Sequence, residues 1–311
     1  MSGRVGEITI PGEDFIAENY MFLTISSIPF LDQKGFNSSM TTTTEAHLAE
    51  AAAEFQEKGY YIARGLFSPA EVAEIRELFT RMHATGVPGQ YEPKPDSADP
   101  LDRYPRVMQP HRFDATSRRY MMHPGVQAHL TEFFHDEPAA AQSMYYFKPP
   151  GGRGQAMHQD QFYLLVQPNT CIAAWTAIDD CDVENGAMYV VPNTQNHETV
   201  CPDLADETVS FSQQYVPVPK GNKPVLAQMK AGDTLFFNGN VIHGSGPNRS
   251  KDRFRRSFIC HYVAASTTNI SKFYLPLVRL DGTDVEIPST TLGGPCGTEF
   301  SSGRRWEGAV H

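Results

Sequence analysis

A chain of 311 residues with 26 basic and 36 acidic side chains carries a formal charge of −10, which excludes a general binder of nucleic acid or of an anionic membrane surface. Hydrophobic residues make up 40% and charged residues 20%, the balance of a folded globular chain rather than a disordered one. A chain this long buries a core without zinc or disulfide staples, and about 150 residues per domain allows two domains or one large one.

Residues 1–44 show no sustained hydrophobic period and end in the run Thr41–Thr44. Met40 is a candidate start, so 1–39 reads as an arm or as an over-long gene product. Order is expected from Glu45, where Leu48, Ala52 and Phe55 recur at helical spacing and Gly59 stands where a C-terminal cap belongs. Tyr60–Ala63 reads as a short strand. Ser68-Pro69-Ala70-Glu71 is a capping box with proline at the first helical position, and Val72, Ile75, Phe79 and Met82 form one apolar stripe ended by Gly86. From Val87 to His111 six prolines break any regular element, which predicts a long loop and a candidate lid. Two short helices are expected at Ser117–Met122 and Val126–Phe134.

After Pro138 the pattern changes to short β-branched and aromatic runs between glycine-rich turns. Strands are expected at Ala140–Lys148, Cys171–Asp179, Ala187–Val191, Val225–Met229, Thr234–Phe237 and Arg255–Ala264. The fold class is therefore mainly β with flanking helices, a sandwich or jelly-roll barrel. The expected organisation is an N-terminal arm at 1–44 and a single domain at 45–311. That domain comprises a helical lead-in at 45–137, a jelly-roll core at 138–265 and an irregular C-terminal tail at 266–311, the tail being a second candidate lid.

The five cysteines, Cys171, Cys181, Cys201, Cys260 and Cys296, form no CxxC pair, and free thiols in a reducing compartment are expected. No signal-peptide pattern and no run of about 18 apolar residues is present, so a cytoplasmic enzyme or binding protein with no membrane association is expected.

Two of the eleven histidines stand out. In Met157-His158-Gln159-Asp160 an imidazole and a carboxylate lie two residues apart, and in extended chain such residues share a face. Asn240-Val241-Ile242-His243-Gly244-Ser245-Gly246 supplies a second imidazole just after an apolar strand. Two His and one Asp make the facial triad of a non-haem Fe(II) site, with open positions for other ligands. Arg255 and Ser257 share a face by the same alternation and offer a planar cation and a hydroxyl to a carboxylate. Hydrolase patterns are missing: there is no HExxH, and Gly244-Ser245-Gly246 does not complete GxSxG.

These residues sit in longer motifs. Lys148-Pro149-Pro150-Gly151-Gly152, Met157 to Tyr163, Ala174-Trp175-Thr176-Ala177-Ile178-Asp179-Asp180, Glu184-Asn185-Gly186-Ala187 and His243 to Asn248 together resemble the phytanoyl-CoA dioxygenase family of Fe(II)/2-oxoglutarate oxygenases. The resemblance spans roughly residues 45 to 265. It implies a double-stranded β-helix of the jelly-roll, cupin-like kind, iron at His158, Asp160 and His243, and 2-oxoglutarate and O2 as cosubstrates. The family's ligand for the far carboxylate of 2-oxoglutarate falls on Arg255, with Ser245, Trp175 and Met144 at further cosubstrate positions, beside Ser257, which shares the face of Arg255. The interval from His243 to Arg255 is one residue longer than the common family spacing, which leaves Arg256 as a substitute. Asp160 fills the position that halogenating relatives leave empty, so halogenation is not expected.

Hydroxylation of an unactivated C–H bond in a small metabolite, in secondary metabolism, is the expected reaction, with desaturation or rearrangement as other fates of the same substrate. Gln142, Gln161, Tyr163 and Tyr146 are the expected substrate-pocket residues, with Tyr145 and Phe162 as further walls. The alternatives are an acyl-CoA 2-hydroxylase of the same mechanism and a non-catalytic jelly-roll binding protein. A CoA ester calls for a basic patch, and the one dense basic run, Arg249 to Arg256, is partly committed to the cosubstrate.

Overall fold

In a computed structural model of the protein, residues 34–168, 170–290, 298–299 and 306–307 are described, with side chains from Glu45 to Thr290. The chain divides into Met1–Thr42 and Thr43–His311, and the sheets and cavity belong to the second unit. The expectation of an arm falls, for residues 1–33, outside the described residues.

Helix α1 (Lys34–Lys58) starts ahead of the expected Glu45, since no proline interrupts the polar threonine run. It ends at Gly59, whose N–H donates to the Phe55 carbonyl, and leads into β1 (Tyr60–Ala63). Helix α2 (Pro69–Thr85) opens on the capping box in both directions: Ser68 Oγ accepts from Glu71 N, and Glu71 accepts from Ser68 N. Its stripe of Val72, Ile75, Leu78, Phe79 and Met82 is buried. The proline-rich stretch that follows is more ordered than expected. It holds one helical turn, α3 (Pro100–Arg103), and a short strand, β2 (Val107–Met108). Helices α4 (Ala115–Met121) and α5 (Pro124–Phe134) then precede β3 (Pro138–Tyr146).

The strands that follow are β4 (Gln155–His158), β5 (Ile172–Ala177) after the turn α6 (Gln161–Leu164), β6 (Met188–Val190), β7 (Asp203–Leu204), β8 (Gln214–Tyr215), β9 (Val225–Ala227), β10 (Thr234–Asn238), β11 (His243–Ser245) and β12 (Ser257–Ala264). The C-terminal stretch expected to be irregular adds β13 (Ile270–Ser271), the 3-10 turn Lys272–Tyr274, β14 (Leu277–Val278) and β15 (Asp284–Val285). The larger sheet runs β1-β10-β5-β12-β3-β14-β15, with β2 also on β3, and the smaller runs β4-β11-β6-β9, all antiparallel. Two facing antiparallel sheets make the jelly roll.

The larger sheet is buried on both faces, which is why its strands read as continuous apolar runs rather than clean alternations. Alternation still sorts its side chains. Tyr145, Phe236 and Phe258 face the helices, where Phe79 stacks on Tyr145 at 3.9 Å between ring centres and Phe133 meets Phe236 at 5.4 Å. Met144, Tyr146, Trp175, Phe237 and Ile259 face the other way, toward the smaller sheet. Helices therefore plaster one face of the large sheet and leave the space between the two sheets for a site.

Candidate active site

The register of β11 on β4 sets His243 directly opposite His158, so two residues distant in sequence become a cross-strand pair with rings 4.2 Å apart. Gly244 is what allows the strands so close: a Cβ there would lie 2.8 Å from the Gln155 carbonyl oxygen. Asp160 arrives differently from the expectation. The chain leaves extended conformation after His158, and Asp160 is the N-cap of α6 with helical torsions (φ −66°, ψ −31°). Its Oδ1 lies 3.5 Å from His158 Nε2 and 3.6 Å from His243 Nε2. One ligand atom from each of the three lies within 4.8 Å of the others, and all three residues are buried.

The donor set suits a divalent metal. His158 Nδ1 is 2.8 Å from the Ala156 carbonyl and His243 Nδ1 is 2.9 Å from the Val241 carbonyl. A carbonyl only accepts, so each Nδ1 carries the proton and each Nε2 turns a lone pair toward Asp160. Burial would raise the Asp160 pKa, but its imidazole neighbours, with the hydrogen bond from His261 among them, hold it well below the usual carboxylate range. Burial, with the neighbouring His158, lowers His243 to about 4, so it is a neutral ligand at ordinary pH.

The triad opens on a cavity of about 440 Å³ between the two sheets. Arg255 lines it from just before β12 and is 2% exposed. Its Nε donates to the Gly186 carbonyl at 3.2 Å, its Nη1 donates to Ser257 Oγ at 3.1 Å, and its guanidinium lies 5.0 Å from the centre of the Trp175 ring. Among the described residues no carboxylate pairs with it, and burial depresses its pKa. Arg256 points the opposite way and is consumed by Asp179, which accepts from its Nε and Nη2 at 2.8 Å each. The geometry thus separates the two arginines that the spacing left open.

Of the expected cosubstrate residues, Arg255, Ser245, Trp175 and Met144 line the cavity. Ser257 does not, because its hydroxyl lies behind the guanidinium it accepts from, and its role toward the cavity is indirect. Of the expected substrate residues, Gln142, Tyr146 and Tyr163 line the cavity and Gln161 does not. The reason is the turn α6: one residue after Asp160 the helix has rotated away, so Gln161 Nε2 donates to the Val166 carbonyl at 2.8 Å. Tyr163 and Leu164, three and four residues on, return to the Asp160 side. Tyr145 and Phe162 are likewise not walls, Tyr145 being turned to the helices.

Several cavity residues were not foreseen. His261 donates Nε2–H to Asp160 Oδ2 at 2.9 Å. Lys148, buried behind the site, donates to Ser245 Oγ at 2.8 Å and the Gly246 carbonyl at 2.5 Å, and burial followed by the Arg255 charge pushes its pKa well down. Arg106 donates to Tyr146 Oη at 3.0 Å and lies over the rings of Tyr146 and Phe211. Phe273 and Tyr274 reach in from the C-terminal stretch. Only His261 had a sequence signal, its even spacing from Ser257 along one strand. Elsewhere, Cys171, Cys181 and Cys260 are free and buried, whereas Cys201 is disulfide-bonded, so free thiols throughout is corrected at that position. Among the described residues no helix is long and apolar enough to cross a membrane.

Comparison with known proteins agrees with this architecture. The phytanoyl-CoA dioxygenase (PhyH) family model matches residues 55–257. The peroxisomal phytanoyl-CoA dioxygenase of Bos taurus is 26% identical over 250 residues, covering 72% of this chain and 74% of that protein. A phytanoyl-CoA dioxygenase of Arabidopsis thaliana is 32% identical over 130 residues, 40% of this chain and 44% of that one. Among solved structures, the epimerase SnoN in complex with Fe3+, alpha ketoglutarate and nogalamycin RO superposes with a TM-score of 0.59 at 24% identity, over 72% of this chain and 86% of that one. The carbocyclase SnoK from nogalamycin biosynthesis gives 0.57 at 20% identity, over 70% and 85%. At these identities the structural likeness is one of fold.

Proposed function

Because the chain belongs to the phytanoyl-CoA dioxygenase family, a family of Fe(II)/2-oxoglutarate-dependent dioxygenases, we propose that it oxidises an unactivated C–H bond of a small metabolite, by hydroxylation, in its inter-sheet cavity. His158, Asp160 and His243 would hold Fe(II), and Arg255 would hold the far carboxylate of 2-oxoglutarate. The observation that carries this reading is the buried, carboxylate-free Arg255 opening on the same cavity as the triad. A buried guanidinium without an anion is costly, and a dicarboxylate supplies the missing partner.

Bound there, Fe(II) with O2 supplies the oxidising chemistry, in which 2-oxoglutarate is decarboxylated to succinate and one oxygen atom is delivered to the substrate. The chain supplies placement. Ser257 and the Gly186 carbonyl fix the guanidinium plane, and Trp175 covers its face. Ser245 Oγ accepts from Lys148, which leaves its own proton to donate to a cosubstrate carboxylate. Met144, Leu164, Phe237 and Ile259 are apolar walls that exclude water.

A cavity of about 440 Å³ that must also seat 2-oxoglutarate favours a small substrate over a CoA ester. The named roles of SnoN and SnoK in nogalamycin biosynthesis lend support to a substrate from secondary metabolism. The test is succinate formation after O2 is admitted to anaerobic protein loaded with Fe(II) and 2-oxoglutarate. Turnover should require iron and vanish in His158→Ala and Asp160→Ala. Iron-independent succinate, or full yield in either variant, would refute the assignment.

A further inference from the structure

Metal and cosubstrate, placed as above, leave two buried polar side chains of the cavity, among the described residues, without employment. Gln142 on β3 is 4% exposed, lines the cavity and sits directly opposite His261 in the β12 register. Tyr274, at the end of the turn Lys272–Tyr274, is 7% exposed and lines the same cavity. Among the described residues nothing hydrogen-bonds to the Gln142 amide or to the Tyr274 hydroxyl. Neither the Gln142 amide nor the Tyr274 hydroxyl is sealed off from the cavity, so a ligand entering it meets both groups with their hydrogen-bonding capacity free.

Both lie beside the metal triad. His261, the cross-strand neighbour of Gln142, bonds Asp160, and the Asp160 charge adds to burial in raising the Tyr274 pKa. Leu164, Phe273 and Met108 complete this part of the wall. The two unpaired groups are neutral. A carboxylate held by them would face the Asp160 charge, and an ammonium would face the metal. An amide and a phenol together donate and accept, which matches an uncharged oxygen.

We propose that Gln142 and Tyr274 form the substrate subsite, binding a carbonyl or hydroxyl oxygen on an otherwise apolar frame. The inference rests on the oxygenase reading for its purpose: gripping that oxygen presents neighbouring C–H bonds to the metal, so oxidation falls close to the existing oxygen function. The subsite selects neutral oxygenated molecules over both hydrocarbons and acids of the same shape.

The test uses four probes on one frame: indane, 1-indanone, 1-indanol and indane-1-carboxylate. Their binding to full-length protein loaded with Fe(II) and 2-oxoglutarate is measured anaerobically by equilibrium dialysis. The ketone and alcohol should bind about 5- to 30-fold more tightly than indane and the carboxylate, the range expected for one or two hydrogen bonds. Tyr274→Phe and Gln142→Leu should each bring ketone and alcohol toward the level of indane and leave indane unchanged. Equal binding of all four, preference for the acid, no binding of ketone and alcohol, or a preference that survives in the variants would each overturn the proposal. Should Gln142→Leu fail to fold, Tyr274→Phe, which removes a single oxygen atom, decides alone. The iron-to-2-oxoglutarate charge-transfer band, recorded without probes, tests the oxygenase reading separately, since dialysis reports probe binding whether or not that band forms.

Discussion

His261 donates to Asp160 Oδ2 at 2.9 Å while Oδ1 of the same carboxylate faces His158 at 3.5 Å and His243 at 3.6 Å. The two oxygens have separate duties, one for the triad and one for the sheet. His261 thereby fixes the carboxylate plane and would leave a single oxygen for a metal held by the triad. His261→Ala is expected to weaken Mn(II) binding about 10- to 100-fold, as measured by paramagnetic resonance titration. His261→Asn, which can still donate, should recover most of that loss. Equal affinity in wild type and His261→Ala would show that the bond does not orient the ligand.

Metal binding should also register as stability. Ligand at about 100 times its dissociation constant adds roughly 2.7 kcal/mol. For a domain of this size that raises Tm by about 5 °C in thermal unfolding with excess Mn(II). The increment should disappear in His158→Ala and His243→Ala and on adding a chelator.

The neighbouring arginines should separate cleanly. Arg255→Ala is expected to raise the KM for 2-oxoglutarate at least about 100-fold, because the anion would lose a charge-assisted partner in a buried site. Arg256→Ala removes the bidentate partner of the partly buried Asp179 and is expected to cost about 2 kcal/mol in urea unfolding, with little change in that KM. The reverse pattern would move the cosubstrate site to Arg256.

Acid sensitivity has an identifiable source outside the triad. His111 is 3% exposed, its Nδ1 is 2.7 Å from Ser143 Oγ, and burial, followed by the charges of Arg112 and Arg118, lowers its pKa to about 4. Between pH 6.5 and 4 the unfolded chain binds this proton and the folded chain does not. The contribution of His111 is therefore complete above pH 6.5 and is lost as pH falls from 6.5 to 4, by at most about 3 kcal/mol. Urea midpoints measured across that window should fall steeply in wild type and less steeply in His111→Gln.

Much of this was legible in the sequence where the signal is local. The capping box at Ser68, the glycine stops and the strand runs of the large sheet depend on near neighbours, and each is found where the pattern put it. His158, Asp160 and His243 were legible because each sits in a short motif, although Asp160 reaches the site by a helical turn rather than by strand alternation. That same turn carries Gln161 away from the cavity, although it directly follows Asp160 in the motif. Tyr145 failed for the opposite reason: alternation holds in β3, and it sends Tyr145 to the helices while Met144 and Tyr146 face the cavity. Arg106 and Tyr274 were invisible as cavity residues, and Lys148 as the group behind Ser245, because long-range packing alone brings them there.

The family match ends at residue 257, and β14 joins the large sheet beside Ala140 from well beyond that point, just after Tyr274 has entered the cavity. The proposed subsite straddles that end, with Gln142 inside the match and Tyr274 beyond it. Within residues 270–278, Phe273 is exposed and lines the cavity, whereas Ile270, Leu277 and Val278 are buried and hold the stretch against the sheet. A lineage with this arrangement can vary the cavity wall at Phe273 without touching the residues that would hold the metal.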